Sequence, residues 1–447
     1  MPEDKEEHSL LLEPSSDNVS TYSQGSPSEL AALESDEGSP WFRRLFKPIQ
    51  RGSMRLVLIG WLRFSVGVGV MALPFYVSQY GVLLGLVVVL AACLLSIFSF
   101  ESIFEAREST SARTLPQIAR FWLGPGLASA VKASLLLDQA ASFLIHAVVG
   151  WDLAARALGQ PEATASLGVR AAFFAIQFVA LTPLFLRRKL GALGSLNSAY
   201  LASLLATVGL LGLSVVLGSK GSKGPGVEGL ATQPGWQWLR YFFPTLGAFY
   251  CHAFVMNLRN ELLNPTLSRL AKVVRIANSF QLVLYSTFGA GIYWALGPEE
   301  TPQLAFLRDP GPGTLGLLLQ VSLVAFFAFN LLTLPVYTNG IRESLSRLYP
   351  LENKDRQFSI YSLLPAFALS AIGVIYPHVV SIFVLCGSTL SYFNGFFLPF
   401  LMKEKILKKE GRNFSAALVK VGNYSLFALG WLAFALEIRH ARREGNE

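Results

Sequence analysis

Arg63, Asp138 and His252 are ionisable, yet each stands where nearly every neighbour is apolar. In hydrocarbon such groups survive by pairing, by titrating or by lining a water-filled cavity. Arg63 follows Leu56, where an apolar run begins, by two helical turns. At about 1.5 Å per residue that is roughly 10 Å inside an apolar layer whose half-thickness is about 15 Å. A guanidinium at that depth costs about 2.5–3.5 kcal/mol, so a cavity or a partner is expected, unless the side chain snorkels to the headgroups or forms a structural pair. Asp138 falls near the middle of another apolar run, with Ser142 and His146 one and two helical turns later on the same face. A face bearing Asp, Ser and His reads as a polar lining. Asp138 is a candidate proton carrier or a satisfied structural carboxylate. His252, whose imidazole titrates near neutrality, is a second proton carrier or a hydrogen-bonded packing residue. Glu101 and Glu261 stand beside basic residues and read as interfacial ion pairs.

The elements that hold these groups are membrane spans. Of the 447 residues, 52% are hydrophobic and 15% charged, against about 25% charged in soluble domains; the mean hydropathy is +0.45. A spanning helix takes about 20 apolar residues. Apolar segments at 56–77, 82–104, 127–158, 168–186, 193–217, 239–258, 273–296, 314–338, 358–376, 379–402 and 421–438 predict eleven transmembrane helices in an all-α integral membrane protein. They make one transporter domain, 49–438, between a polar N-terminal segment, 1–48, read as a disordered cytoplasmic tail, and a short tail, 439–447.

The net charge of +8 does not indicate nucleic acid, because the basic residues cluster between apolar runs. Arg43, Arg44, Lys47, Arg51 and Arg55, then Arg187, Arg188 and Lys189, then Lys403 to Arg412 all fall on one side. The positive-inside rule makes that side, and the N-terminus, cytoplasmic. Trp41 to Lys47 is basic and aromatic, suited to headgroups of the bilayer. No cleaved signal peptide is read at the acidic N-terminus. Cys93, Cys251 and Cys386 lie in apolar runs, so neither a disulfide nor a metal site is expected. Glu6-Glu7-His8-Ser9-Leu10-Leu11 fits an acidic dileucine pattern, which would recruit sorting adaptors and send the protein to endolysosomal or vacuolar membranes in place of the plasma membrane.

Two spans are interrupted. Ser65-Val66-Gly67-Val68-Gly69 leads into Pro74 in the first, and Pro244 to Gly247 leads into Phe249-Tyr250-Cys251-His252 and Phe254 in the sixth. Backbone left unpaired at membrane depth persists only where it lines a cavity or meets a ligand. Breaks at corresponding places in two five-helix halves point to an inverted-repeat transporter with a midplane site. Free amides suit a carboxylate and free carbonyls an ammonium, and an α-amino acid carries both. Ser65, Val66, Gly67, Val68, Gly69, Phe249, Tyr250, Cys251, His252 and Phe254 are therefore the expected substrate contacts. The alternative is that the glycines simply let helices pack closely.

The glycine-rich first span resembles the opening signature of the amino acid/auxin permease family. Phe249 to Val255, continuing to Asn260-Glu261-Leu262, is similar to the sodium-coupled neutral amino-acid transporter branch, as are Leu332-Thr333-Leu334-Pro335 with Gly340-Ile341-Arg342, and Gly150-Trp151-Asp152-Leu153. The resemblance implies a LeuT-type 5+5 inverted repeat plus one C-terminal helix, carrying small neutral amino acids with sodium or protons as coupling ion. It sets helices one and three side by side, which would make Asp138 the natural partner of Arg63. It also places Arg63 where sodium-coupled members carry an Asn ligand, and Thr333 where they carry a Thr ligand. Two cations 4 Å apart repel by about 4 kcal/mol at an effective dielectric of 20, which favours proton-coupled or facilitative over sodium-coupled transport. No catalytic set and no cofactor motif is found, so an enzyme is not expected. The alternative is a membrane amino-acid sensor that transports little and signals through its cytoplasmic tail.

Overall fold

A computed structural model of the chain describes residues 52–157, 166–187, 194–218, 237–297, 301, 305, 313–376 and 378–444. The predicted tail and its dileucine pattern, Glu6, Leu10 and Leu11, lie outside the described residues. Among those described, the secondary structure is entirely helical. The first helix is α1, Met54–Ser65. A 3-10 turn, Val68–Ala72, leads into α2, Leu73–Tyr80. Gly81, at a φ of 76° that suits glycine, turns the chain into α3, Val82–Glu108. Then come α4, Leu115–Leu123, α5, Pro125–Ala157, α6, Leu167–Phe185, and α7, Gly194–Gly218. The sixth predicted span is α8, Gln237–Gly247, a 3-10 turn, His252–Phe254, and α9, Val255–Glu261. The rest is α10, Leu267–Leu296, α11, Thr314–Leu331, α12, Leu334–Leu348, α13, Lys354–Ile375, α14, Val379–Cys386, α15, Leu398–Lys409, and α16, Asn413–Glu444. Between α14 and α15 the chain stays helical but is wound as π-helix over Gly387–Ser391 and Phe393–Phe397.

By length and composition, eight of the described helices can cross a membrane, or nine when α1 and the Val68–Tyr80 stretch, bent by 48°, count as one span. Large apolar side chains cover the outside of the bundle: Ile375 is 77% exposed, and Ile176 and Val179 are each 70% exposed. Water would not tolerate so continuous an apolar surface, and lipid does. The protein is an integral, multi-pass membrane protein.

The last helix runs to Glu444, beyond the expected end at 438, so most of the short C-terminal tail is helical. The short helix α4 was not among the expected spans. Its nine residues cannot cross a bilayer, and it is started by Gln117, whose Oε1 accepts from the Thr114 amide at 3.1 Å.

α10 packs along α1, α2 and α3, while α5 packs on α12, α11 and α13. The second interrupted element packs through α8 on α2, α3, α14, α16 and the π-wound Gly387–Ser391, and through α9 on α1. One end of the bundle is basic, with ion pairs between Arg275 and Glu101 and between Lys403 and Glu105. At the opposite end Arg240 of α8 makes a two-point ion pair with Glu437 of α16, both buried.

Candidate functional site

Break one follows α1. Val66 caps it through a bond from its amide to the Leu62 carbonyl at 2.7 Å. Gly67 is then extended (φ −97°, ψ −166°), and the 3-10 turn starts at Val68. The Gly67 amide turns back to the Ser65 carbonyl at 3.0 Å, which leaves the amides of Val68 and Gly69, opening the turn, with no preceding carbonyl to meet. A Cβ placed on Gly67 would meet nothing within 4 Å, and one on Gly69 only the Phe383 ring at 3.8 Å. Break one therefore borders open space inside the bundle.

Break two follows α8. Phe249 and Tyr250 donate back to Leu246 and Gly247 at 3.1 and 3.0 Å, and the chain then departs from the helix at Cys251 (φ −144°, ψ 24°). Its carbonyls are answered from the side: Ser96 Oγ donates to the Phe249 carbonyl at 3.3 Å. Tyr285 of α10 joins the two breaks. Its hydroxyl lies 3.1 Å from the Ser65 carbonyl and 2.9 Å from the Ala248 carbonyl, and accepts from Gln281 Nε2 at 3.1 Å. The last carbonyl before one gap and the first within the other thus converge on a single buried phenol.

Aromatic side chains from before and after the two breaks meet in two places. Toward the basic end, Phe64 before break one stacks on Phe254 after break two, with centroids 4.1 Å apart. Toward the opposite end, Tyr76 after break one stacks on Tyr241 before break two at 5.4 Å, and Phe75 meets Tyr241 edge-on. The contacts of Tyr241, stacked and edge-on at 5.4 Å, fall within the favoured ring geometries.

Arg63 is 2% exposed, so it does not snorkel. It donates to Thr333 Oγ1 at 2.9 Å, and its guanidinium carbon sits 4.0 Å from the centre of the Tyr200 ring. The pairing of Arg63 with Asp138 that the resemblance suggested is not formed. Asp138 Oδ2 instead accepts from the Tyr250 hydroxyl at 3.1 Å. A phenol can satisfy a carboxylate oxygen and a hydroxyl a guanidinium, so each charge is met by a neutral partner. Thr333 sends its own hydroxyl hydrogen to the Phe329 carbonyl at 3.0 Å, which leaves its oxygen to accept from Arg63.

His252 is fully buried, stacked on Phe100 at 3.7 Å, with Nε2 3.0 Å from Ser99 Oγ. Ser99 donates to the Gly395 carbonyl, so Nε2 carries the hydrogen and Nδ1 is bare, with no partner among the described residues. His146 donates from Nδ1 to the Ser142 carbonyl at 2.8 Å and leaves Nε2 unpartnered. Of the expected ion pairs, Glu101 finds Arg275 at 2.7 Å, and Glu261 pairs with no described residue.

The expected residues thus fall into two groups. Ser65 to Gly69 with Phe249 to Phe254 surround the joined breaks, while Arg63 and Thr333 form a separate contact with Tyr200. Sequence reasoning missed Tyr285, Tyr200 and Asn394. Gln281 and Tyr285, one turn apart in an apolar run, and Asn394-Gly395 in another, were the available signals; single polar residues of this kind are common enough in spans that only their contacts distinguish them. Among the described residues no three His, Cys, Asp or Glu side chains gather as a metal site.

The model of the family described as transmembrane amino acid transporter protein matches residues 50–442. The chain belongs to this family. It is similar to amino acid transporter AVT6E of Arabidopsis thaliana, with 22% identity over 368 residues, covering 77% of this chain and 74% of the relative. Family and relative are transporters and not enzymes.

Proposed function

We propose that this transporter carries small neutral amino acids by alternating access, with protons and not sodium as the coupling ion. Its fold is then the eleven-span, LeuT-type 5+5 repeat, with α8 and α9 together as one broken span and α10 as a further, continuous one, and with the N-terminus cytoplasmic at the basic end. The observation that carries the reading is the pair of breaks joined at Tyr285, with open space at Gly67. Bare amides there suit a carboxylate, and the Ser65 and Ala248 carbonyls suit an ammonium. The crossed aromatic pairs support alternating access, because opening one pair while the other stays stacked exposes the space to one side at a time. The bulk of Phe249, Tyr250 and Phe254 beside the gap favours small side chains.

Sodium independence rests on Arg63. Its guanidinium occupies the Thr333 hydroxyl oxygen, the group that would ligate the ion by resemblance. A sodium ion added 4 Å away would be repelled by about 4 kcal/mol. Asp138, 4% exposed and met by no cation among the described residues, is the favoured proton carrier, because an uncompensated buried carboxylate is costly and a proton removes the cost. The dileucine pattern supports residence in endolysosomal or vacuolar membranes through sorting adaptors.

Uptake of labelled amino acids into proteoliposomes, with proton and sodium gradients imposed separately, tests the reading. Accumulation is expected with a proton gradient in sodium-free buffer. Accumulation that needs sodium would overturn the assignment of Arg63, and binding without flux under either gradient would overturn transport itself.

A further inference from the structure

Two polar side chains of α5 reach out to neighbouring elements, one to the π-wound stretch and one to break two. Ser134 and Asp138 stand one turn apart on α5. Ser134 Oγ donates to Asn394 Oδ1 at 2.6 Å, and Asp138 Oδ2 accepts from Tyr250 at 3.1 Å. Asn394 is fully buried, and its Nδ2 has no hydrogen-bond partner among the described residues. Break two touches the π-wound stretch with almost no clearance. A Cβ at Gly387 would lie 2.9 Å from the Pro244 backbone, and one at Gly395 would lie 2.8 Å from the Tyr250 ring and 3.1 Å from His252 Nδ1. π-wound turns inside α-helices are strained and concentrate at functional sites.

We propose that Tyr250 is the residue that couples proton binding to substrate binding, by transmitting the protonation state of Asp138 to the Gly387–Phe397 stretch through Asn394. The inference rests on the proton-coupled reading above and adds the route by which the proton acts. A phenol has one hydrogen to give. While Asp138 is ionised, that hydrogen is held on Oδ2, Asn394 Nδ2 is left without a partner, and break two is moored to α5. Once Asp138 carries a proton it no longer needs that hydrogen, the phenol turns, and the mooring between break two and the π-wound stretch loosens. Two hydrogen-bond patterns at one close contact give the two-state element that coupling requires. The other charged or titratable groups acting on Asp138 or Tyr250 are Tyr337 of α12, Cys386 of α14 and Cys251 of break two, with Arg63 of α1 beside Tyr337. His252 stacks on the Tyr250 ring at 5.3 Å.

The test compares two rates in proteoliposomes: accumulation driven by a proton gradient, and counterflow exchange without one. In Tyr250→Phe the ratio of the first to the second is expected to fall at least about tenfold, well within ordinary coupling energies; Asn394→Ala is expected to lower it in the same direction. A merely structural or substrate-contacting Tyr250 would lower both rates together, and an unchanged ratio overturns the proposal. A wild-type protein with no proton-driven accumulation would instead overturn the proton-coupled reading, and the proposal with it. Hydrogen exchange of residues 387–397 in nanodiscs, followed at acidic and at basic pH, serves if a variant transports too little to measure. The wild type is expected to lose protection there on acidification, and Tyr250→Phe to lose that pH response. Equal protection at both pH values in the wild type overturns the route.

Discussion

Break one and break two are chemically unlike. Break one is a gap in an aliphatic wall: its residues are Val66, Gly67, Val68 and Gly69, and Gly67 faces open space. Break two is built from Phe249, Tyr250, Cys251 and His252, of which the Tyr250 and His252 side chains are engaged by α5, α3 and the π-wound Phe396. The first supplies room and backbone groups; the second supplies side chains that hold it against its neighbours. Tyr285 is the one described residue whose hydroxyl touches carbonyls of both. The contrast suggests a division of labour, with recognition at the first break and mechanical coupling at the second.

Substitutions of single atoms or groups sharpen that contrast. The largest loss of stability is expected where α8, the helix leading into break two, meets the π-wound stretch. Gly387→Ala forces a methyl group to 2.9 Å from the Pro244 backbone, which overpacking puts at about 1–3 kcal/mol; thermal unfolding in detergent should show a clear fall in Tm. An unchanged Tm would mean that break two is not wedged against the π-wound stretch. A smaller effect is expected from Tyr285→Phe, which removes the one hydroxyl hydrogen shared between the Ser65 and Ala248 carbonyls, at about 0.5–1.5 kcal/mol, lowers Tm and weakens substrate binding. If binding is untouched, the two breaks are not one site. The smallest effect on stability is expected at Gly67→Ala, within about 0.5 kcal/mol of the parent because its new methyl meets nothing, although uptake should fall as the methyl fills substrate space. Equal loss of stability from the alanines at 67 and 387 would dissolve the comparison. Arg63→Asn probes the neighbouring contact: it removes the fixed charge from Thr333, and uptake is expected to become responsive to sodium. Uptake indifferent to sodium in that variant would separate Arg63 from ion choice.

Much of this was legible in the sequence, and the reasons differ by feature. The spans were visible because apolar runs near the length of the bilayer are unusual in water-soluble chains. Both breaks were visible because glycine and proline mark interrupted helices whatever surrounds them. The depth of Arg63 was legible from helical rise, but its partner was not. Pairing of opposite charges is a good rule only when nothing else reaches, and here Thr333 and Tyr250 reach first. The interior π-wound stretch left no sequence mark, since its winding depends on how Gly387 and Gly395 meet a segment more than a hundred residues earlier. The short helix α4 was readable from Thr114-Leu115-Pro116-Gln117, a capping pattern that a search for spans passes over.

The most direct test of the joined breaks as an amino-acid site is substrate protection at position 67. With Cys93, Cys251 and Cys386 replaced, Gly67→Cys in proteoliposomes is labelled by a small thiol reagent in the presence of alanine, of ethylamine or of propionate. Alanine, which carries both charged groups, is expected to slow labelling, while the amine and the acid alone leave it unchanged. Labelling that alanine does not slow, at concentrations that saturate uptake, would contradict the account.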